Sequence, residues 1–126
     1  MAYERTGVYL LKRWSREKGV DHYAVGLAGD SAGKAGYWRD VAIQLLPGGL
    51  VAEVWSAAPG WEVLGKAQDE SLALQRLHLE GGARYALVGF NCEHFARHVV
   101  NGRRESRQVQ GVAVLGLLAA LILASR

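Results

Sequence analysis

The sequence predicts a small α+β domain, a mostly antiparallel sheet packed on helices. Three observations predict it: short β-prone apolar runs fill the first half, glycine-rich turns separate them, and two stretches with helical spacing and capping residues follow. At 126 residues, half of them apolar, the chain has material for one core and not for two.

Val8 to Trp14 and His22 to Leu27 read as the first two strands, and Gly29 to Gly36, rich in Gly, Ser and Asp, as the loop after them. Asp40 to Leu46 and Leu50 to Trp55 flank Pro47-Gly48-Gly49, whose glycines tolerate positive φ, so these two segments pair as a hairpin. The pattern changes around Ala58-Pro59-Gly60. Asp69 to Glu80 then sets acidic residues ahead of Leu72, Leu74, Leu77 and Leu79, with Asp69 as N-cap and Gly81-Gly82 as the stop. A second helix runs from Cys92 to about Val100, with Asn91 as N-cap and Asn101-Gly102 as its end; Cys92, Phe95 and Val99 share its core-facing side.

Gly111 to Ala124 carries no charged or strongly polar side chain, and Arg103, Arg104, Arg107 and Arg126 flank it. At 1.5 Å per residue the run reaches roughly 20–25 Å, short of the ~30 Å hydrocarbon core unless Val109, Gln110 and Ser125 are recruited and the bilayer thins. The expected division is therefore a domain over residues 1–109 and a hydrophobic segment over 110–126 that anchors the chain in a membrane. The arginines would keep the domain on the cytoplasmic side. The alternative is a soluble cytoplasmic chain with a buried terminal helix.

The formal charge is +3, and all of the excess lies after Asn101; the body before it balances eleven basic against eleven acidic side chains. No clustered Lys/Arg face is available for nucleic acid, which is expected not to be a partner. Glu4, Arg5, Lys12 and Arg13 interrupt the N-terminus before any apolar run of useful length, so no secretory signal is expected. Cys92 is the single cysteine, which excludes an internal disulfide and a multi-thiolate zinc site. No cofactor is expected: the glycines at 26, 29, 33 and 36 lack both a P-loop ending and a dinucleotide-binding context.

The most informative segment is Tyr85-Ala86-Leu87-Val88-Gly89-Phe90-Asn91-Cys92-Glu93-His94-Phe95-Ala96-Arg97. A cysteine in the first turn of a helix sits beside free backbone N–H groups and the positive end of the dipole, which favours the thiolate. The N–H groups at Asn91, Cys92 and Glu93 are also suited to an oxyanion on an acyl carbon. A lone cysteine has a plainer alternative, a small buried hydrophobe.

Asn91-Cys92-Glu93-His94-Phe95 closely resembles the N-C-E-H-F motif of the lecithin:retinol acyltransferase-like family, and the likeness continues through Ala96-Arg97 to Ser106-Arg107-Gln108-Val109. Asp21-His22-Tyr23-Ala24-Val25-Gly26-Leu27 resembles that family's histidine strand, so the similarity covers about residues 5–109. The resemblance implies a circularly permuted papain-like fold with Cys92 as nucleophile and His22 as general base. It further implies an acyl-thioester route on lipid acyl groups, as an acyltransferase or phospholipase, with phospholipid or another acyl lipid as substrate. The family's usual second histidine is absent: the matching strand, Val41 to Leu46, carries Gln44, whose carbonyl can accept an imidazole N–H. Glu53 is the reserve for this third position, and Asp40 a more distant one. Two other activities remain open, a papain-like amidase or peptidase and a catalytically degenerate, membrane-tethered binding module.

His94 falls two residues past Cys92, on another helix face, and is expected to be structural. His78 and His98 lack metal-ligand spacing and are expected at the surface or core edge. Trp14, Trp38, Trp55 and Trp61 suit core packing, an acyl groove or a membrane interface.

Overall fold

The computed structural model describes residues 6–15, 19–56, 60–81 and 91–102. The proposed membrane segment, the 109/110 boundary, the Ala58-Pro59 turn and most of the stretch leading to Asn91 lie outside the described residues. Among the described residues, no helix is long and apolar enough to cross a membrane.

The architecture is α+β, as the patterning predicts. Five strands, β1 (Gly7–Ser15), β2 (Val20–Ala28), β3 (Val41–Leu46), β4 (Gly49–Val54) and β5 (Glu62–Lys66), form one antiparallel sheet in the order β4-β3-β2-β1-β5. Three helices join it: α1 (Asp30–Lys34), α2 (Glu70–Leu79) and α3 (Cys92–Asn101). The expected hairpin is present, with Leu46 opposite Gly49 across the Pro47-Gly48 turn.

Strand alternation sorts side chains onto two faces. Tyr23, Val25 and Leu27 of β2 join Val8 and Leu10 of β1 and Val41, Ile43 and Leu45 of β3 in the larger core, which α2 and α3 cover with Ala73, Leu77, Phe95, Ala96 and Val99. The opposite face holds Tyr9, Leu11, Ala24, Ala28 and Ala42 around Trp55, whose ring meets Tyr9 edge-on at 5.6 Å. Gly26 makes room for that tryptophan: a Cβ there would lie 2.6 Å from the Trp55 ring and 2.8 Å from Leu11.

Two elements differ from expectation. Gly29 to Gly36 was expected as loop, yet Asp30–Lys34 forms a short helix. Five residues, one of them glycine, carry no usable periodicity, and outside contacts hold the turn. Thr6 Oγ1 accepts the Asp30 N–H at 3.1 Å, Asp40 Oδ1 accepts the Gly29 N–H at 2.9 Å, and the Ser31 hydroxyl donates to Glu70. Strand β5 was not anticipated, because it is an exposed edge with no buried alternation to read; it pairs with β1 across an irregularity at Leu10/Leu11.

The helices start and stop where their capping residues place them. Asp69 Oδ1 accepts the Leu72 N–H at 3.0 Å at the head of α2. Gly102 ends α3 at φ 74°, the left-handed position that favours glycine. Arg76 of α2 donates to the Val99 and Val100 carbonyls at 3.0 and 3.4 Å, placing positive charge at the C-terminal end of α3 and tying the two helices together.

Candidate thiol site

Local chemistry fixes the start of α3. Asn91 Oδ1 accepts the N–H groups of Glu93 and His94, both at 3.0 Å, and the Asn91 N–H returns to His94 Nδ1 at 3.3 Å. This reciprocal box satisfies donors that a helix start otherwise leaves open, and it commits the Asn91 and Glu93 N–H groups that were expected to serve an oxyanion, leaving Cys92 outside it. It assigns His94 a capping role, in line with its expected structural one.

Glu93 and Arg97 then lock α3 onto β2. The Glu93 side chain is fully buried, and its carboxylate accepts from Arg97 Nε at 2.9 Å across one helical turn. The Arg97 guanidinium lies over the Tyr23 ring, 5.4 Å from its centroid. Burial works against the charge on Arg97, but Glu93 and the Tyr23 hydroxyl outweigh it and hold the guanidinium above its ordinary pKa. Tyr23 is raised in turn, first by burial and then by Glu93, against the pull of Arg97.

This clamp delivers the Cys92 thiol to the middle of the sheet. The thiol packs in the larger core with Tyr23, and the backbone N–H groups of Tyr23, Glu93 and Cys92 itself act on it to lower its pKa. The recorded β2–β3 ladder covers Val25–Leu27 and stops two residues short of Tyr23, which opens that side of the strand to the first turn of α3. The expected meeting of the Cys92 thiol with the His22 imidazole is not shown: Cys92 packs in the larger core with Tyr23, and strand alternation sends the His22 side chain to the other face.

The side chains of His22 and Tyr23 leave β2 on opposite faces. Tyr23 points to α3, whereas His22 shares its face with Ala24 and Gly26 and pairs directly across from Arg13 of β1. Nδ1 of His22 is buried from solvent.

Gln44 is buried and, by alternation, shares the Ala42 face with His22. Gln44 follows Ile43, which makes the last β2–β3 pair with Val25, so it lies just past the end of the ladder on the side toward His22. Glu53 is on this face too, opposite Ala42, but it is engaged elsewhere: Arg13 lies 2.7 Å from its carboxylate and Trp61 donates to it at 3.1 Å. Asp40 holds the Gly29 N–H instead. His98 sits 3.2 Å from Glu80 at the core edge, and His78 is exposed. The Arg13–Glu53–Trp61 cluster beside His22 was missed in the sequence, because residues on three separate strands and turns leave no local signal.

Electrostatics depart from one expectation. The helix start was expected to favour the thiolate, and the three backbone N–H groups do pull the Cys92 pKa down. Burial, with the thiol's residue only 7% exposed, outweighs them, and the Glu93 carboxylate adds to it, so the thiol is pushed above its ordinary value and rests protonated. A cavity of about 350 Å³ opens on the same face of the sheet between α1, α2, β3 and β4; neither Cys92 nor His22 lines it. No group of His, Cys, Asp and Glu side chains suited to a metal ion occurs among the described residues.

Fold and site together define an α+β protein with a buried thiol at a helix start, set against the strand of an early histidine. Comparisons with protein-family models, with curated proteins and with solved structures find no match.

Proposed function

We propose that the chain is a thiol-dependent acyltransferase or acyl hydrolase of permuted papain-like fold, acting on lipid acyl groups through a Cys92 thioester. The observation that carries this reading is Cys92 at the start of α3, packed in one core with Tyr23, the neighbour of His22 on β2. The N-C-E-H-F resemblance supports it, as does the Asn91 cap that starts α3 at Cys92.

In this reading His22 acts as general base to the Cys92 thiol, which requires the imidazole, sent by strand alternation to the other face of β2, to reach around the strand to the sulfur. Sulfur bonds to the acyl carbon as its proton passes to the imidazole, and the Cys92 N–H, which the Asn91 cap does not engage, receives the negative charge on the carbonyl oxygen. The imidazolium returns the proton to the departing alcohol as the acyl–oxygen bond breaks, leaving a thioester. Water, an alcohol or an amine then attacks that thioester, again through His22, and the thiol is restored. Gln44 serves as the positioning residue for the ring, and the apolar segment 110–126 keeps the domain at a membrane, with the site on the cytoplasmic side.

The test is turnover of phosphatidylcholine in mixed micelles by the full chain. Release or transfer of acyl groups that is lost in Cys92→Ala and in His22→Ala is the expected result; turnover unchanged by both substitutions, or none from any of several phospholipids, overturns the reading.

A second reading is favoured by the burial of Cys92 and its raised pKa: a degenerate relative that binds lipid without acylating its cysteine. Lipid binding without turnover selects it. Release of peptide from peptidoglycan in place of lipid turnover selects an amidase.

A further inference from the structure

The sheet has two outer edges, β4 and β5, and they are built differently. An edge strand exposes unpaired backbone groups, and chains that stay single blunt such edges with bulges and with charged side chains, lysine above all. Strand β5 has both devices, the irregularity opposite Leu10/Leu11 and Glu62 and Lys66 at its ends. Strand β4 has neither. It pairs with β3 without a shift of register, carries no lysine or proline, and leaves Val51, Ala52 and Val54 exposed. Its one charge, Glu53, is neutralised by Arg13 at 2.7 Å and held by Trp61 at 3.1 Å. Among the described residues, no strand covers the outer side of β4.

The phase of the hydrogen bonds defines what that side offers. Trp55 donates its N–H to the Asp40 carbonyl at 3.1 Å, and in an antiparallel ladder bonded pairs recur at every second residue. The pairs Ala42/Glu53, Gln44/Val51 and Leu46/Gly49 are therefore bonded within the hairpin, and Leu50, Ala52 and Val54 turn their N–H and C=O groups outward. The side chains of these three share one face, opposite Leu45, Ile43 and Val41 of the larger core. Such an edge is complementary to itself. A two-fold axis through Ala52, perpendicular to the sheet, sets Ala52 against its own copy and Leu50 against Val54 of the copy. Every outward group then meets a partner and the face stays apolar. On the other face Val51 falls opposite Glu53 of the copy, which keeps like charges from facing each other.

We infer that β4 is a dimerisation edge: two copies of this chain pair antiparallel through Leu50, Ala52 and Val54 and join their sheets into one. The register is fixed by the strand's length. Moving the axis to Val51 or Glu53 sends Val54 against Gly48 or Leu50 against Ser56, beyond the ladder. An edge of six residues is about 20 Å long, a small contact, so the dimer dissociates on dilution. This assembly is independent of the thiol chemistry proposed above.

Two measurements on the full chain in detergent micelles test it. In a Cys92→Ala background, Ala52→Cys places a sulfur on each side of the axis. A bonded antiparallel pair holds its Cα atoms about 5.5 Å apart, inside the ~4.4–6.8 Å that disulfides span. Mild oxidation should convert most of this variant to a covalent dimer, while Val63→Cys on β5 in the same background stays largely monomeric. Equal cross-linking of the two, or none through Ala52→Cys, overturns the proposal. The second measurement is sedimentation equilibrium over a range of protein concentrations, which separates this contact from association through residues 110–126. The wild type should show a monomer–dimer equilibrium. Ala52→Lys, exposed at the edge and setting two ammonium groups at the axis, should raise the dissociation constant about ten-fold or more. A wild type that stays monomeric throughout, or a dimer equally strong in a folded Ala52→Lys, overturns it.

Discussion

Cys92 at the start of α3 packs in one core with Tyr23 of β2, so a helix start and an early strand meet one residue from His22. Burial and Glu93 hold that thiol protonated above its ordinary pKa. Alkylation by iodoacetamide should therefore be slower in the folded protein than in urea, with its midpoint above the ~8.5 of a free cysteine. The same shift has a stability sign. A raised folded pKa contributes stability that is complete below the unfolded value and is lost as pH rises through the folded one. Urea midpoints should fall on the alkaline side, less steeply in Cys92→Ala; a thiol titrating below 8 contradicts this.

Glu93 is fully buried and paired with Arg97, so removing the carboxylate strands a guanidinium that is itself mostly enclosed. Glu93→Ala should cost about 3–5 kcal/mol in urea unfolding, the usual penalty for breaking a buried pair from one side. A loss below about 1 kcal/mol would mean that the pair behaves like a surface bridge and does not clamp α3 to β2.

Asn91 caps α3 through two N–H groups. Asn91→Ala should lower stability by about 1 kcal/mol, and Asn91→Asp, which keeps the acceptor, should recover most of it. Both are read from chemical unfolding curves.

Glu70 is depressed below its ordinary pKa, first by the Lys34 ammonium and then by the Ser31 hydroxyl. A lowered folded pKa contributes stability present above the unfolded value and lost as pH falls through the folded one. Unfolding midpoints measured from pH 6 down to pH 2 should therefore drop on the acid side, and Glu70→Gln should flatten that part of the curve. Lys34 is largely solvent-exposed, so added salt should shrink the effect.

Residues whose signals are local were legible in the sequence. Asp69 and Asn91 announced both long helices, Pro47-Gly48 announced the hairpin, and the apolar run from His22 to Leu27 announced a strand. Strand β5 was hidden because Val63 and Leu64 are both exposed, and α1 because Ser31 and Asp30 are held by Glu70 and Thr6 from far along the chain. At the site, residue types could suggest Cys92, His22 and Gln44. They could not reveal that burial would outweigh the helix start at the thiol, since desolvation depends on how Phe95, Tyr23 and the rest of the core close around it.

The central claim is that Cys92 takes up an acyl group with His22 as its base. Its most direct measurement is the intact mass of the full chain after brief exposure to a phospholipid or an activated fatty acyl ester. A single added acyl mass is predicted, located at Cys92, released by neutral hydroxylamine, absent in Cys92→Ala and formed much more slowly in His22→Ala. An unmodified Cys92 under conditions where lipid binds, or an adduct that forms equally fast without His22, would contradict it.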